Sequence, residues 1–268
     1  MRVLAFALPD PDYEYLLSLL DPPERDRVVR FRLPEDRLRS LVGRLALWWY
    51  LLVEGHISGD TRPTFGRKAR GKPTLSTPLL SPPLDFNNSH EGPFVLLGVA
   101  RGATAELGVD VMLPPLDPVE LQDSLDLQLT PMEKHHLAIP LPPRERAARL
   151  TTLWTIKEGY TKAIGHGVGF GLERIEVELG HMGEVWAVHV DGRPVGVEGW
   201  RVISGMIQPP EEGGTGAGEG IGEGSVVTQR GEVGWAVIWR GDEWDGQVEV
   251  VKWGDFVRVF EDRGKRSS

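Results

Sequence analysis

The sequence predicts an α+β protein built from two similar halves, and three features lead to this expectation. Helical apolar periodicity followed by strand-like runs occurs twice along the chain, in the same order. The proline-bearing segment "MLPPLDP", residues 112–118, is typical of a connector. A chain of 268 residues, 40% hydrophobic, is also long enough to bury a sizeable core. We therefore expect an N-terminal half over residues 1–114 and a C-terminal half over residues 115–268.

The elements of the N-terminal half follow from local patterns. A short apolar strand over residues 3–8 precedes helical patterns near 12–20, 22–32 and 34–53. The basic, proline-bearing segment 61–83 is typical of a loop. Two β-branched runs, "FVLLGVA" and "ELGVDVM", then flank the turn "RGAT", so we expect them to pair.

The C-terminal half repeats the order of helices and then strands. Helices are predicted for "PVELQDSL", for "TPMEKHHLA" and for a long segment over residues 143–164. The predicted strands are "RIEVEL", "VWAVHV", "WRVISGMI", "VGWAVIW" and "VEVVKW". The glycine- and glutamate-rich segment at about 209–225 has too little apolar surface to offset its ordering entropy. It is predicted to be a flexible insertion that the chemistry does not need.

Composition limits the classes of partner. The formal net charge of -9 gives no overall attraction to nucleic acid or to anionic membranes, so any basic site must be local. The absence of cysteine excludes disulfides and thiolate chemistry. The first apolar run is too short for an export signal, and we expect a cytoplasmic protein.

The long predicted helix carries three notable charges. At 100° per residue, Glu158 and Lys162 are neighbours at the edge of its apolar face. They fit an ordinary surface pair four residues apart, or a functional pair beside a cleft. Lys157 falls inside the apolar face, where a lysine must snorkel or find an anion.

Two other segments place polar groups where chemistry is plausible. Asp110 lies between valines in a strand expected to be buried, which is costly unless the carboxylate is paired, hydrogen-bonded or bound to a metal. The segment "GRKARGKPT", residues 66–74, is either a solvated charge run or an anion-binding loop. It is not a P-loop, because Pro73 stands where the magnesium-binding hydroxyl belongs. With no cysteine present, oxygen ligands favour Mg²⁺.

Four motifs in order carry a family resemblance: "GRKARGKP", "FNNSHEG", "ELGVDVM" and "LWTIKEGYTKAIGHGVGF". Together they resemble the surfactin-synthetase-activating superfamily of 4′-phosphopantetheinyl transferases, in particular its broad-range fungal and animal branch. The resemblance implies a pseudo-two-fold α/β fold with the active site in the cleft between the halves. It also implies Mg²⁺-dependent transfer of 4′-phosphopantetheine from coenzyme A to a serine of an apo carrier protein, releasing adenosine 3′,5′-bisphosphate.

The resemblance also assigns residues. Asp110 and Glu158 match the metal carboxylates, and Glu158 is the candidate base. Met112 replaces a glutamate ligand found in many relatives, so another side chain or water must take its place. Glu91, on an expected loop or turn beside His90, is our candidate for this third ligand, directly or through water. The positions that match coenzyme A contacts are Arg25, Arg44, Arg67, Lys72, Asn87, Ser89, His90 and Lys162.

The finer function stays open at this point. The carriers implied are those of fatty-acid, polyketide, peptide-synthetase and lysine pathways. A non-catalytic module that binds coenzyme A or a carrier protein is the alternative, because Met112 is no Mg²⁺ ligand. We expect a monomer, since the two halves already form the cleft.

Overall fold

The structure is a computed structural model of the 268-residue chain, and it describes residues 1–8, 14–208, 232–241 and 243–263. The predicted insertion at about 209–225 lies outside the described residues. The helices are α1 (Glu14–Ser18), α2 (Pro22–Val29), α3 (Pro34–Val53), α4 (Pro118–Ser124), α5 (Pro131–Ala138), α6 (Pro143–Ile164) and α7 (Trp253–Asp262). The strands are β1 (Arg2–Ala7), β2 (Thr64–Arg67), β3 (Pro73–Thr77), β4 (Leu84–Glu91), β5 (Phe94–Arg101), β6 (Glu106–Met112), β7 (Ile175–Leu179), β8 (Val185–Val190), β9 (Arg193–Pro194), β10 (Arg201–Ile207), β11 (Val233–Arg240) and β12 (Val248–Val251).

Local sequence signals set the helix ends. α6 has Pro143 in its first turn and ends at Gly165, whose φ of 72° is left-handed and favours glycine. In α5, Thr130 accepts from the Glu133 backbone N–H while the Glu133 carboxylate accepts from the Thr130 N–H, a reciprocal capping box. Among the described residues, no helix is long and apolar enough to cross a bilayer.

Two sheets form the centre of the protein. One has the order β12-β1-β5-β4 and the other has the order β10-β11-β6. The predicted pairing of "FVLLGVA" with "ELGVDVM" is wrong, because β5 pairs with β1 and β4 while β6 pairs with β11. Instead the two strands pack face to face: a Cβ on Gly98 would lie 2.7 Å from side-chain atoms of Leu107 and Val109. The missing side chain at Gly98 therefore lets the two sheets approach.

Three segments differ from the sequence prediction. The stretch predicted as a loop over residues 61–83 contains the β2-β3 hairpin. Glu91, expected in a loop or turn, is the last residue of β4 and pairs with Phe94. Helix α7 was not predicted; its short apolar stripe is buried through Phe256 and Phe260.

The mixed α/β fold class is confirmed. One apolar cluster covers the outer face of the first sheet with α3 and α7, and a second surrounds α6. A third cluster lies between the sheets and combines residues of β1 and β5 with residues of β6 and β11. The division at residue 114 stays a prediction, and strands cross it: β6 joins the second sheet and β12 joins the first.

Candidate active site

Helix α6 and strand β6 touch backbone to backbone, and this contact brings the candidate acids together. A Cβ on Gly108 would lie 1.9 Å from the Gly159 carbonyl oxygen and 2.4 Å from the Ala163 nitrogen. Real Cβ atoms do not come so close to backbone, so only glycine permits the packing at Gly108. Asp110 follows Gly108 by two residues and Glu158 precedes Gly159, and the two carboxylates border one cavity.

Asp110 is buried, with 5% of its surface exposed, and its charge is compensated. Lys162 Nζ donates to Asp110 Oδ1 at 2.5 Å, and Ser89 Oγ donates to the same oxygen at 2.7 Å. The ammonium also donates to Ser89 Oγ at 3.0 Å. Lys162 therefore pairs with Asp110, which excludes the simple interpretation of Glu158 and Lys162 as a surface pair.

Glu158 is the least satisfied acid of the site. Its Oε1 atom is inaccessible to solvent and has no hydrogen-bond partner. Burial is the largest cause that raises the pKa of Glu158 above its ordinary value, the negative charge of Asp110 adds to it, and Lys162 opposes both. A cation arriving between the two carboxylates would remove the Coulombic part of this penalty.

The cavity in front of these acids has a volume of about 410 Å³. His90 and Glu91 are exposed at its rim. Even so, desolvation lowers the pKa of the His90 imidazole below its ordinary value, the charges of Arg39 and Lys162 lower it further, and Glu91 opposes the shift. The lining residues are Asn88, Ser89, His90, Glu91, Asp110, Val111, Met112, Trp154, Glu158 and Lys162.

Six predicted site residues thus meet at the cavity, and Lys72 does not. The Lys72 side chain is buried and its ammonium donates to Asp85 Oδ2, to Leu107 O at 2.7 Å and to Ala163 O at 3.2 Å. Three acceptors fill its three N–H donors. In this structure the ammonium therefore makes buried structural contacts, and the predicted contact of Lys72 with coenzyme A stays a prediction.

The remaining predicted contacts also have partners within the protein. Asn87 Oδ1 accepts from Val109 N at 2.8 Å, and a guanidinium N–H of Arg67 donates to Gly71 O. The guanidinium of Arg25 donates to the backbone carbonyls of α1 and its following turn, and that of Arg44 pairs with a glutamate of α2. None of the four lines the described cavity. Their roles in coenzyme A binding stay predictions.

Lys157 pairs with an anion, as its position on the apolar face requires, and the anion is the carboxylate of Glu133. Its ammonium lies 2.9 Å from Glu133 Oε2, and the two side chains are 1% and 0% exposed. It also donates to the carbonyl oxygens of Gln128 and Leu172, while Glu133 Oε1 accepts from Val177 N at 2.9 Å. This buried pair connects α6 to α5 and β7, and neither side chain lines the cavity.

Two parts of the site were not found from the sequence. Trp154 lines the cavity as an apolar wall one turn before Glu158, a spacing that the helical period does show. Arg39 lowers the pKa of His90 from a helix far away in sequence, and no local pattern signals that contact. Charged residues that are far apart in sequence but close in space cannot be identified from local patterns.

The three candidate metal carboxylates do not form a tight preformed cluster. Among the described residues, the group of three or more metal-binding side chains whose ligand atoms all lie within 4.8 Å is Glu176, Glu178 and His189 on β7 and β8. Glu91, Asp110 and Glu158 share a cavity at wider spacing. Their assignment to a metal stays a prediction.

Comparison with known proteins decides the family. Residues 9–101 match the profile described as 4′-phosphopantetheinyl transferase, N-terminal, and residues 106–198 match that of the 4′-phosphopantetheinyl transferase superfamily. A relative from Paxillus involutus, named 4′-phosphopantetheinyl transferase pptA, is 36% identical over 185 residues, which are 64% of this chain and 69% of the relative. The chain belongs to the 4′-phosphopantetheinyl transferase family.

Other transferases of the family are similar over comparable stretches. The 4′-phosphopantetheinyl transferase HetI of Nostoc sp. is 33% identical over 175 residues, 64% of this chain and 70% of that protein. The L-aminoadipate-semialdehyde dehydrogenase-phosphopantetheinyl transferase of Xenopus laevis is 31% identical over 174 residues, 62% of this chain and 57% of its own length. The predicted family and its enzymatic nature are confirmed.

A solved structure also resembles part of the chain. It is a holo-(acyl-carrier-protein) synthase from Bacillus anthracis in complex with CoA (3′,5′-ADP), at 17% identity and a TM-score of 0.32. The match covers 50% of this chain and 94% of the synthase.

Proposed function

We propose that this transferase moves 4′-phosphopantetheine from coenzyme A to a serine of an apo carrier protein, with Mg²⁺ as cofactor and adenosine 3′,5′-bisphosphate as the leaving product. One observation carries the proposal: the buried, unpartnered Oε1 of Glu158 beside Asp110, in a cavity edged by Lys162 and His90. A diphosphate donor needs this combination of carboxylates for a cation and cations for phosphate.

Coenzyme A is the proposed donor. Ser89, His90 and Lys162 offer a hydroxyl, an imidazole and an ammonium on one side of the cavity. These groups suit the diphosphate, while Arg25, Arg44 and Arg67 are proposed for the outer phosphate and nucleotide.

The residues present fit a divalent cation. Asp110 and Glu158 would hold it, with Glu91 as the third ligand in place of the side chain that Met112 does not supply. When bound, Mg²⁺ would neutralise charge on the diphosphate oxygens and favour the deprotonated nucleophile. Lys162, which now compensates Asp110, would be released to donate to a phosphate oxygen.

Glu158 is the proposed base. Its carboxylate accepts the proton of the carrier serine, directly or through one water. The serine oxygen then forms a bond to the phosphorus that bears pantetheine, and the bond from that phosphorus to the adenosine bisphosphate oxygen breaks. Lys162 and His90 stabilise the negative charge that develops on the phosphate oxygens.

Incubation with coenzyme A, Mg²⁺ and apo carrier domains tests the proposal. Each modified carrier should gain the mass of one 4′-phosphopantetheine arm, read by intact mass spectrometry, and omission of Mg²⁺ should abolish the gain. The Xenopus relative is named for an aminoadipate-semialdehyde dehydrogenase, so a lysine-pathway carrier belongs in the panel beside fatty-acid, polyketide and peptide carriers. No gain on any carrier, with coenzyme A still bound, would support the non-catalytic alternative.

Two further expectations accompany this proposal. A monomer is predicted, and sedimentation should give the mass of one chain at micromolar concentration. A cytoplasmic location is predicted, and fractionation of cells should place the protein with carrier-bearing synthases.

A further inference from the structure

Side chains of β4 replace a missing strand beside β6. Among the described strands, β6 is at the end of its sheet and pairs with β11 alone, so the N–H groups on its other edge need acceptors elsewhere. Asp85 Oδ2 accepts from Leu107 N at 2.9 Å, and Asn87 Oδ1 accepts from Val109 N at 2.8 Å. Ser89, two residues further along the same face of β4, reaches the acid of β6. We name Asp85, Asn87 and Ser89 the side-chain ladder.

Lys72 ties this ladder to α6. Its ammonium donates to Asp85 Oδ2, to Leu107 O on β6 and to Ala163 O in the last turn of α6. Carbonyls at a helix C-terminus lack partners within the helix and favour a positive charge. One ammonium thus connects β4, β6 and the end of α6.

These three elements carry the proposed chemistry. Asp110 follows Leu107 by three residues on β6, and Lys162 directly precedes Ala163 on α6. Any slip of α6 along β6 would change the separation of Asp110 from Glu158. We infer that Lys72 and Asp85 are positioning residues that set the spacing of the metal carboxylates, and that Lys72 does not bind phosphate; the inference rests on the proposed metal role of Asp110 and Glu158.

The surroundings of Lys72 argue against a second role as an anion ligand. Release of the ammonium would leave Asp85, which is 5% exposed, with Lys68 as its remaining cationic partner, and the Lys68 side chain is 44% exposed. Loss of the buried member of such a charge network is destabilising. A Cβ on Gly165 would lie 3.2 Å from Lys72 Cβ, so the lysine stem packs against the C-cap of α6. The side chain is held at both ends.

Two binding measurements separate positioning from phosphate binding. In Lys72→Met and Asp85→Asn we expect the Mn²⁺ dissociation constant, measured by electron paramagnetic resonance, to rise about tenfold, as for lost supports of metal ligands. Coenzyme A affinity without metal, measured by calorimetry, should stay within about twofold, because Lys72 makes no phosphate contact. A coenzyme A affinity reduced tenfold or more in Lys72→Met, with Mn²⁺ binding unchanged, would overturn the inference.

The double variant and a matched control sharpen the test. Since both residues act through one network, Lys72→Met/Asp85→Asn should weaken Mn²⁺ binding about as much as either single change. If the two residues acted independently, the losses of binding free energy in the single variants would add. Lys134→Met breaks the exposed pair with Asp126 and should alter neither affinity. If Lys72→Met does not fold, Asp85→Asn, which keeps an acceptor for Leu107 N, carries the test alone.

Failure of the proposed function gives a different result. Unmodified carriers, with Mn²⁺ affinity still reduced in the variants, would reject the transfer assignment and keep the positioning role. Failure of the wild-type protein to bind Mn²⁺ would overturn the positioning inference. Wild-type Mn²⁺ affinity in Asp85→Asn would overturn it as well.

Discussion

At the scale of single residues, Glu158 combines burial with an oxygen that nothing in the described protein satisfies. Such an atom is costly in a finished fold unless a ligand completes it. Under the proposed function, this position lowers the stability of the free protein and raises its affinity for a cation and its basicity toward the carrier serine.

Replacement of Glu158 tests this trade. Glu158→Gln should reduce transfer about 100-fold or more, the lower range for loss of a positioned base. The melting temperature of the metal-free protein should not fall, because the amide removes a buried negative charge beside Asp110. Steady-state rates and calorimetric melting measure the two effects, and Asp191→Asn, at an exposed ion pair, serves as control. A rate within threefold of wild type would contradict the base assignment.

The pH dependence of stability follows from the raised pKa of Glu158. Between the unfolded value of 4.5 and the higher folded value, the folded protein keeps a proton that the unfolded chain has lost. The contribution of Glu158 is therefore fully present below 4.5 and is lost as pH rises through the folded pKa. We expect the difference in melting temperature, wild type minus Glu158→Gln, to fall over that window without metal. A difference independent of pH would contradict the shift.

Glu91 is tested through the cation requirement. Glu91→Ala should raise the Mg²⁺ concentration for half-maximal rate about tenfold, as expected for a lost support of the metal site, with little change in metal-free coenzyme A binding. Met112→Glu in that background should restore part of the loss, since Met112 lines the same cavity. An unchanged Mg²⁺ requirement in Glu91→Ala would leave water as the third ligand.

At the scale of elements, the contact of β6 with α6 sets the site. A methyl group at Gly108 would collide with the backbone of Gly159 and Ala163, and backbone cannot yield as a side-chain end does. The helix and strand must therefore separate or shift to accept it.

Gly108→Ala should destabilise the protein by about 3 kcal/mol, the upper range for overpacking, and should also reduce transfer. Gly196→Ala is the matched control, because a Cβ there meets nothing within 4 Å. Urea unfolding measures the first effect and carrier modification the second. Equal stability of the two variants would show that the helix accommodates the methyl group.

Elements with a strong local pattern were predictable from the sequence. The long helix was predicted over residues 143–164 and forms over Pro143–Ile164, since its proline start and Gly165 end are local signals. The helical period alone made Glu158 and Lys162 neighbours, but the placement of Asp110 beside them required the family motifs. The burial of Lys72 was not predictable, because it depends on Asp85 and Ala163, which lie far from it in sequence. The predicted pairing of β5 with β6 was wrong because a short turn between two strands does not require them to pair. Here the turn joins strands that belong to two different sheets.

At the scale of the whole molecule, the two halves share their stabilising contacts. β12 pairs in parallel with β1, and α7 places Phe256 against Phe6 and Trp49 of the first half. The apolar cluster between the sheets draws on both halves. We therefore expect them to unfold together.

Phe256→Ala tests this coupling. The phenylalanine is 1% exposed, and its truncation should cost about 3–5 kcal/mol. Both halves should then unfold in one transition at a lower temperature. Hydrogen exchange of β5 monitors the first sheet, and hydrogen exchange of β11 monitors the second. Trp186→Ala, at a side chain 64% exposed, should change little. Loss of protection in β5 alone would show two independent units.

The pairing of β1 with β12 has a consequence for synthesis in the cell. β1 leaves the ribosome before β12 and α7, and nearly all of the described chain lies between them. Until then the apolar surface around Phe6 and Trp49 lacks the cover that α7 provides. Such long-range pairing is slow to form and leaves nascent chains prone to aggregation. The first sheet is therefore completed only after β12 has emerged, and until then the emerging chain should depend on chaperones that shield this surface.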